Sequence, residues 1–347
     1  MIRVGIVGVG FMGWIHWLAY QRVAGVRVAA ISTRNKRRLA GDWHGIQGNF
    51  GPPGEQVDLS GIATYADIDA LLADPQIDLV DITLPTSLHA DVAIRALQAG
   101  KHVLCEKPMA LRLADCRRMV AAAKKANRLL MIAHVLPFFP EYDWALKTIR
   151  GGNYGRVRGG AFRRVIANPA WLKNFWSPEH IGGPMIDLHV HDAHFIRLVF
   201  GLPAEVVTVG RLRNGLPEFW HSQFRFADND LVVEATSGTI DQQGRPFTHA
   251  YEIHLERATL AFDFAVFGSE GRYLCEPTLL DNNGGVQRPT LSGGDPIEAF
   301  ANELREVVRS IRDGKTSEIL GAILAQDAML ICEKQSTSLE RGRPVKF

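Results

Sequence analysis

The strongest constraint on the fold is a glycine-rich turn near the first residue of the chain. A β-branched run over residues 2–7 is followed directly by Gly-Val-Gly-Phe-Met-Gly over residues 8–13. In a βαβ unit, Gly8 permits the tight turn, Gly10 lets the backbone approach a pyrophosphate, and Gly13 lets the helix pack on the strand. The free N–H groups and positive dipole end of that helix favour phosphate. The pattern predicts a dinucleotide site that also includes Phe11 and Met12.

The residues after the second predicted strand, 26–32, indicate which dinucleotide binds. An acidic residue at this point would bind the adenosine ribose of NAD, but the chain continues with Thr33 and Arg34. A hydroxyl followed by a guanidinium suits a 2′-phosphate, which arginine can hold with two hydrogen bonds. These two residues favour NADP(H), and NAD(H) stays open as the alternative. The alternative for the basic residues 36–38 is that they only form the solvated start of a helix, and we expect this for at least two of the three.

The first half of the chain alternates between strand and helix patterns, which predicts a doubly wound parallel α/β sheet. We assign residues 1–136 to this NAD(P)-binding Rossmann domain. Residues 42–61 are rich in glycine and proline, and they predict a long surface loop beside the adenosine end of the cofactor. The other predicted elements are a helix over 67–73, a strand over 78–83, a helix over 90–99, a strand over 102–105, a helix over 112–127 and a strand over 129–133.

Leu84 and Pro85 follow the strand over 78–83 at its carboxyl end, where open α/β sheets bind ligands. We predict that both contact the cofactor. His89 opens the next helix, and two roles stay open for it. It can line the nicotinamide pocket, or it can serve only the packing between loop and helix.

Glu106 and Lys107 follow the strand over 102–105, and both are predicted to lie at the cofactor. A lysine at a strand's carboxyl end beside a dinucleotide is placed to touch a substrate oxygen, as a base or as a group that polarises a carbonyl. The structural alternative is an ion-paired lysine that only ends the strand. His134 closes the strand over 129–133, and we include it among the residues expected to contact substrate.

Asp187 and His191 are four residues apart, which predicts that they share one helix face. Oxidation of an alcohol requires a group that takes the hydroxyl proton near neutral pH, and histidine titrates in that range. Asp187 can hold the imidazole tautomer or relay the proton. Together with His194 the two residues also form a plausible zinc face. Because nicotinamide chemistry with Lys107 needs no metal, we predict none.

Residues 137–347 are assigned to a substrate-binding and oligomerisation domain of the α+β class. An open sheet needs its outer face covered, so a homodimer or homotetramer through this sheet is expected. Helices over 297–313 and 318–338 are expected to return to the first domain. The predicted strands of the sheet cover 158–166, 204–210, 221–226, 231–240, 249–255 and 258–264.

The segment that precedes a double glycine contains three candidates for substrate contact, namely Trp171, Lys173 and Trp176. Aromatic faces and amino groups suit the apolar faces and hydroxyl rims of a sugar ring. The alternative is that the tryptophans anchor a loop or a subunit contact.

These motifs resemble the glucose–fructose oxidoreductase / inositol dehydrogenase / rhizopine-catabolism family (Gfo/Idh/MocA), over essentially the whole chain. The resemblance rests on residues 8–13, on Glu-Lys-Pro over 106–108, on 182–187 with His191, and on 295–300. It implies a Rossmann domain followed by an α+β domain with a large, open, mostly antiparallel sheet.

The resemblance further implies that Lys107 sits at the nicotinamide and that Asp187 and His191 complete the site. The implied activity is NAD(P)-dependent interconversion of alcohol and ketone on a sugar, a sugar derivative or a cyclic polyol. Pro137, His189 and His194 depart from the family pattern, and His194 stands where the inositol enzymes carry Asp. These departures bear on the substrate rather than on the reaction type.

The composition narrows the partners and leaves two other functions open. A formal charge of +2 without a long basic tract predicts no nucleic-acid partner, and no apolar run approaches a membrane span. Four scattered cysteines and a core strand at residues 2–7 favour a cytoplasmic protein. The alternatives are a non-catalytic ligand- or dinucleotide-sensing protein, and an enzyme that retains its cofactor and recycles hydride internally.

Overall fold

The computed structural model describes residues 1–170, 172–228, 230–291 and 294–347. It divides the chain into two compact units. The first contains Met1–Phe139 and a later segment that ends at Gln326, and the second begins at Pro140 and includes Asp327–Phe347. The chain therefore leaves the first unit three residues after the boundary that the sequence suggested, and it returns to that unit for one long helix.

A parallel sheet of six strands, in the order β3-β2-β1-β4-β5-β6, forms the centre of the first unit. The doubly wound prediction is confirmed. The strand order reverses between β1 and β4, and such switch points are where open α/β sheets bind ligands. The strands are β1 (Ile2–Val7), β2 (Val26–Ser32), β3 (Ala63–Tyr65), β4 (Leu79–Ile82), β5 (His102–Glu106) and β6 (Leu130–Ala133). The helices are α1 (Phe11–Tyr20), α2 (Lys36–Leu39), α3 (Ile68–Ala73), α4 (His89–Gln98), α5 (Leu113–Ala126) and, later in the chain, α9 (Pro296–Asp313).

A nine-stranded sheet, in the order β14-β13-β12-β11-β7-β10-β9-β8-β15, forms the second unit. Among its described strands only β7 and β10 pair in parallel, so the prediction of a large, mostly antiparallel sheet is confirmed. The strands are β7 (Val157–Ala167), β8 (Glu205–Arg213), β9 (Leu216–Arg225), β10 (Val232–Ile240), β11 (Phe247–Leu255), β12 (Ala258–Phe267), β13 (Glu270–Asp281), β14 (Val286–Gln287) and β15 (Val345–Lys346). The helices are α6 (Pro140–Arg150), α7 (Gly183–Asp187), α8 (Val190–Phe200) and α10 (Ala322–Arg341), and α10 belongs to this unit from Asp327 onward.

The sequence prediction contains no counterpart for α6, for β13 or for the two-residue strands β14 and β15. Helix α6 begins at Pro140, close to the predicted domain boundary. Proline suits the first helical position, because its missing N–H would have no intrahelical partner there. Strand β13 begins with glutamate and glycine, and its pairing with β12 shifts register twice, so its alternation is broken.

The segment predicted as a surface loop over 42–61 is partly interior, so that prediction is wrong for its buried residues. Trp43 has no exposed surface, and its ring packs edge-on against Trp14 and Trp17 with centroids 5.8 and 5.0 Å apart. The Trp14 indole N–H also donates to the Pro52 carbonyl at 2.9 Å. Buried aromatic pairs contribute about 0.5–1.5 kcal/mol beyond the area they bury. The segment is therefore fixed on α1. None of the described helices is long and apolar enough to cross a membrane.

Candidate functional site

The glycine turn is held between the ends of two strands. Gly8 has a φ of 101°, a region that only glycine enters without strain. Its N–H donates to the Ser32 carbonyl at 2.9 Å, and the Thr83 hydroxyl donates to its carbonyl at 2.6 Å. Thr83 was not among the predicted site residues, although its position at the carboxyl end of β4 was a signal for it.

The geometry of this turn fits a dinucleotide. A Cβ added to Gly10 would meet no atom of the described parts of the chain within 4 Å, so the backbone there faces space that a pyrophosphate can enter. A Cβ on Gly13 would instead collide with the Gly8 carbonyl oxygen, so helix and strand need glycine for their close packing. Gly10 caps α1 without any side-chain hydrogen bond, which leaves the first N–H groups of the helix available to phosphate. Phe11 and Met12 lie half-buried in the first turn of α1.

The cations near the adenosine position lie around the end of β2. Arg34 is exposed, and the Thr33 hydroxyl accepts a hydrogen bond from the Asn35 N–H at 3.2 Å. The Arg38 guanidinium donates to the Val9 carbonyl within the glycine turn. Of the basic residues 36–38, at least two were expected to form only a solvated helix start, and the structure places Arg38 beside the glycine turn.

His89 joins the loops that follow β4 and β5. One ring nitrogen lies 2.8 Å from the Leu84 carbonyl oxygen and the other lies 2.9 Å from the Pro108 carbonyl oxygen. The ring is buried, and burial lowers the pKa of His89 below its usual value. A neutral imidazole has one N–H and donates to one of the two carbonyls. Of the two roles left open by the sequence, this geometry favours packing between loop and helix. Pro85, beyond Leu84, is exposed.

Lys107 follows the last residue of β5 and is half-buried. Its N–H donates to Glu106 Oε2 at 3.0 Å, and Glu106 Oε1 lies 3.0 Å from His16 Nε2. The Glu106 side chain therefore turns into the protein. His134 follows β6 and is fully buried. Because β1, β4, β5 and β6 are parallel neighbours, the glycine turn, Lys107 and His134 follow strand ends at the same edge of the sheet.

In the second unit, Asp187 and His191 do not share one continuous helix, and that prediction is wrong. Helix α7 ends at Asp187 and α8 begins at Val190. The cause is a wide turn, in which the His189 N–H donates to the Pro184 carbonyl five residues earlier at 2.8 Å. Asp187 and His191 are half-buried on either side of the break.

The His189 side chain holds the backbone at this break through hydrogen bonds of both ring nitrogens. Its Nδ1 lies 2.8 Å from the Ser237 hydroxyl and its Nε2 lies 3.0 Å from Gln335 Oε1. Because the Gln335 oxygen can only accept, we assign the ring N–H to Nε2. Burial lowers the pKa of His189 to about 4. The neutral, fully buried ring anchors the backbone that separates Asp187 from His191.

A buried ion pair, missed in the sequence, holds α8 on the sheet. The Arg164 guanidinium of β7 donates to both carboxylate oxygens of Asp192 at 2.8 and 3.0 Å. It also donates to the Tyr142 hydroxyl at 3.3 Å. Both charged side chains are at most 4% exposed. The alternation of apolar and basic residues in β7 did not reveal which arginine turns inward.

The substrate candidates from the loop before α7 differ in their surroundings. Lys173 is exposed. The Trp176 indole N–H donates to Asn168 Oδ1 at 3.1 Å, and the Arg213 guanidinium lies 5.1 Å from its ring centroid. These contacts favour the anchoring alternative for Trp176. Trp171 lies outside the described residues. In the described parts of the chain, no three or more His, Cys, Asp and Glu side chains are grouped to hold a metal ion.

Comparison with known proteins identifies the family. Residues 2–134 match the oxidoreductase family with an NAD-binding Rossmann fold, and residues 142–273 match the GFO/IDH/MocA C-terminal domain. Together the two matches cover well over half of the chain. The chain belongs to the Gfo/Idh/MocA oxidoreductase family, as the motifs predicted.

Three relatives illustrate the similarity. The myo-inositol 2-dehydrogenase of Thermotoga maritima is 25% identical over an alignment of 365 residues. The alignment covers 100% of this chain and 98% of that protein. The 1,5-anhydro-D-fructose reductase of Ensifer adhaerens is 31% identical over 197 residues, which cover 50% of this chain and 59% of that protein's length. The structure of a levoglucosan dehydrogenase with NADH and levoglucosan superposes with a TM-score of 0.80 at 22% identity, covering 99% of both chains.

Proposed function

We propose that this member of the Gfo/Idh/MocA family is an NAD(P)-dependent oxidoreductase that interconverts an alcohol and a ketone on a sugar, a sugar derivative or a cyclic polyol. The observation that carries the proposal is the glycine turn, open at Gly10, at the same sheet edge as Lys107. When bound, the nicotinamide supplies the hydride acceptor or donor.

The proton chemistry falls to the chain's own residues. Lys107 is the first candidate, because an ammonium group offers three donors to a substrate oxygen and can give up one proton. Asp187 and His191 are the candidates in the second unit, where the break at His189 leaves both half-buried rather than enclosed. We assign these three residues to proton transfer at the substrate hydroxyl.

The substrate class is supported by what the relatives' names share. Inositol, 1,5-anhydro-D-fructose and levoglucosan are all polyhydroxylated rings. Such a ring needs several hydrogen-bonding groups around its rim. The exposed amino group of Lys173 and the imidazole of His134 are the candidates that this chain offers besides the proton-transfer residues.

We propose NADP(H) as the preferred cofactor. The support is the exposed Arg34 after β2 and the absence of an acidic residue at positions 33 and 34. Replacement of Arg34 by alanine then raises KM for NADP⁺ about tenfold to a hundredfold, since one charge-assisted contact is worth about 1.5–3 kcal/mol, and changes KM for NAD⁺ little. Equal changes for the two cofactors would contradict this assignment.

The decisive experiment is a cofactor-reduction screen of inositols, anhydro sugars and simple aldoses with NAD⁺ and NADP⁺ in parallel. Lys107→Ala and His191→Ala are expected to lower kcat about 10²–10⁴-fold, as loss of an acid–base group does. Lys124→Ala, an exposed lysine of α5, is the control and should behave like the parent. Parental rates in both site variants would refute the assignment.

The same screen separates the two alternatives. An enzyme that recycles hydride internally shows the absorbance of reduced nicotinamide as purified. A sensing protein binds dinucleotide but turns over no member of the panel, and that outcome with intact binding would overturn the enzymatic proposal.

We also propose that the sheet of the second unit forms a homodimer or homotetramer. Several of its strands carry exposed apolar side chains, for example Val232 (63% exposed), Val286 (59%) and Leu274 (52%). Light scattering should give a multiple of 38.4 kDa, and Val232→Glu is expected to weaken that assembly. A monomeric mass at micromolar concentration would contradict the proposal.

A further inference from the structure

A buried cluster of ionisable side chains lies beneath the strand end that carries Lys107, entirely within the first unit. His16 of α1 spans from β4 to β5, with Nδ1 2.8 Å from Asp81 Oδ2 and Nε2 3.0 Å from Glu106 Oε1. His16 and Asp81 have no exposed surface, and Glu106 is 6% exposed. Such enclosed charges are expensive unless each one has a partner.

We propose that His16 is a positioning residue for the reaction, because it fixes the Glu106 carboxylate and thereby the backbone from which Lys107 projects. This inference rests on the proposed function. Glu106 uses its two oxygens on two partners, the His16 ring at Oε1 and the Lys107 N–H at Oε2. A rotation of its side chain breaks both hydrogen bonds, so the carboxylate locks the residue that follows it.

The charge state of His16 strengthens the hydrogen bonds that hold the Glu106 carboxylate in place. Both ring nitrogens face carboxylate oxygens, and only a doubly protonated ring donates to both. Burial lowers the pKa of His16, but the Asp81 and Glu106 carboxylates outweigh burial and hold that pKa well above its usual value. Charge-assisted hydrogen bonds of this kind are about twice as strong as neutral ones.

Every element packed around His16 contributes to this balance. Asp81 also accepts a hydrogen bond from the Tyr20 hydroxyl of α1 at 3.0 Å, and Glu303 of α9 adds a buried carboxyl. The Phe300 ring of α9 lies 6.0 Å from the imidazole. Because α1 also begins at the glycine turn, His16 ties the helix that receives the dinucleotide to the strand end that presents Lys107.

The test uses His16→Gln, which retains one amide donor, and Glu106→Gln, which retains the shape but not the charge. Each is expected to lower kcat about tenfold to a hundredfold on the panel sugar with the highest turnover, since small misplacements of a reacting group have effects of about this size. The Kd for NADH, from its fluorescence, should stay within about twofold. The double variant should be no slower than the slower single variant, because both changes break one linkage.

Nitrogen NMR of the ¹⁵N-labelled full chain supplies a readout independent of turnover. The signals that vanish in His16→Gln should show both ring nitrogens protonated at pH 7.5. A neutral ring, a kcat within threefold of the parent in both variants, or multiplicative effects in the double variant would overturn the inference. If the parent turned over no sugar of the panel, the proposed function would fail instead, whereas the NMR result would still report on His16. Glu106→Gln decides the kinetic question if His16→Gln does not fold.

Discussion

Glu303 is the buried group from which a change in stability can be predicted most directly. It lies on α9 and has no exposed surface, and among the residues that the structure describes neither of its carboxyl oxygens has a hydrogen-bond partner. Burial raises the pKa of Glu303 well above its ordinary value, and the nearby His16 charge only partly opposes this. The folded protein therefore holds the proton of this carboxyl to a higher pH than the unfolded chain does. Glu303→Gln keeps the size of the side chain and removes the need to hold that proton.

The sign and size of the effect follow from proton linkage. The unfolded chain releases this proton above the ordinary pKa of 4.5, whereas the folded protein keeps it. The folded state then binds one more proton than the unfolded state, so this group's contribution to stability falls as the pH rises. The slope is about 1.4 kcal/mol per pH unit until the folded pKa is reached. The advantage of the glutamine variant in the free energy of unfolding should grow with pH at that slope.

The assay is denaturant unfolding at pH 5.5, 6.5 and 7.5, followed by the fluorescence of the 7 tryptophans. His16, whose folded pKa is also raised, gives a slope of the same sign above its ordinary pKa of 6.5, but it is present in both proteins and largely cancels in their difference. Glu298→Gln removes a half-exposed charge from the same helix and is the control. A difference between Glu303→Gln and the parent that does not change with pH would refute the assignment of a buried, protonated carboxyl.

Three further predictions concern other parts of the molecule. A Cβ at Gly48 would overlap the Phe11 ring at the glycine turn, so Gly48→Ala should raise the Kd for NADH, measured by fluorescence titration. Gly244→Ala serves as the control, because a Cβ there meets no atom of the described residues within 4 Å and its backbone φ is not in the left-handed region. Arg164→Met should lower the free energy of unfolding by about 3–5 kcal/mol, because it leaves the Asp192 carboxylate buried without the arginine. Adding Asp192→Leu to that variant should restore much of the lost free energy. An equal loss in the single and the double variant would argue against the ion pair. His189→Gln should lessen the loss of stability between pH 6.5 and pH 4, by up to about 3 kcal/mol, because only the unfolded chain protonates His189 in that range.

The alternation of strands and helices in the first unit could be predicted because each element is regular and local. Parallel strands buried on both faces appear in the sequence as short apolar runs, and α5 is capped by Asn127, which adopts the left-handed conformation typical of helix ends. The glycine turn could be predicted equally well, because the backbone geometry that it requires admits few residue types. Element ends moved by a few residues, as expected where hydrogen bonding rather than composition decides them.

The prediction failed where tertiary contacts override local pattern. The spacing of Asp187 and His191 is helical, but the anchoring of His189 to Ser237 and Gln335 interrupts the helix between them. Likewise, the glycine and proline content of 42–61 is typical of a loop, but it does not show that Trp43 packs among tryptophans of α1. Such partners lie tens of residues away, so no window of the sequence contains them.

Some of the buried ionisable residues could have been recognised in the sequence. Asp81 interrupts the apolar strand Leu79–Ile82, and His16 interrupts an otherwise apolar stretch of α1. A charged residue at a position that must be buried requires a partner of opposite charge or a shared proton, so each interruption predicts a second one elsewhere. The sequence cannot say which interruptions pair, because His16 and Asp81 are 65 residues apart and His16 and Glu106 are 90 apart. The fold determines this pairing, because it makes β1, β4 and β5 neighbours beneath α1. It thereby connects the glycine turn, the motif most easily recognised in the sequence, with the His16 cluster, which is the hardest to recognise.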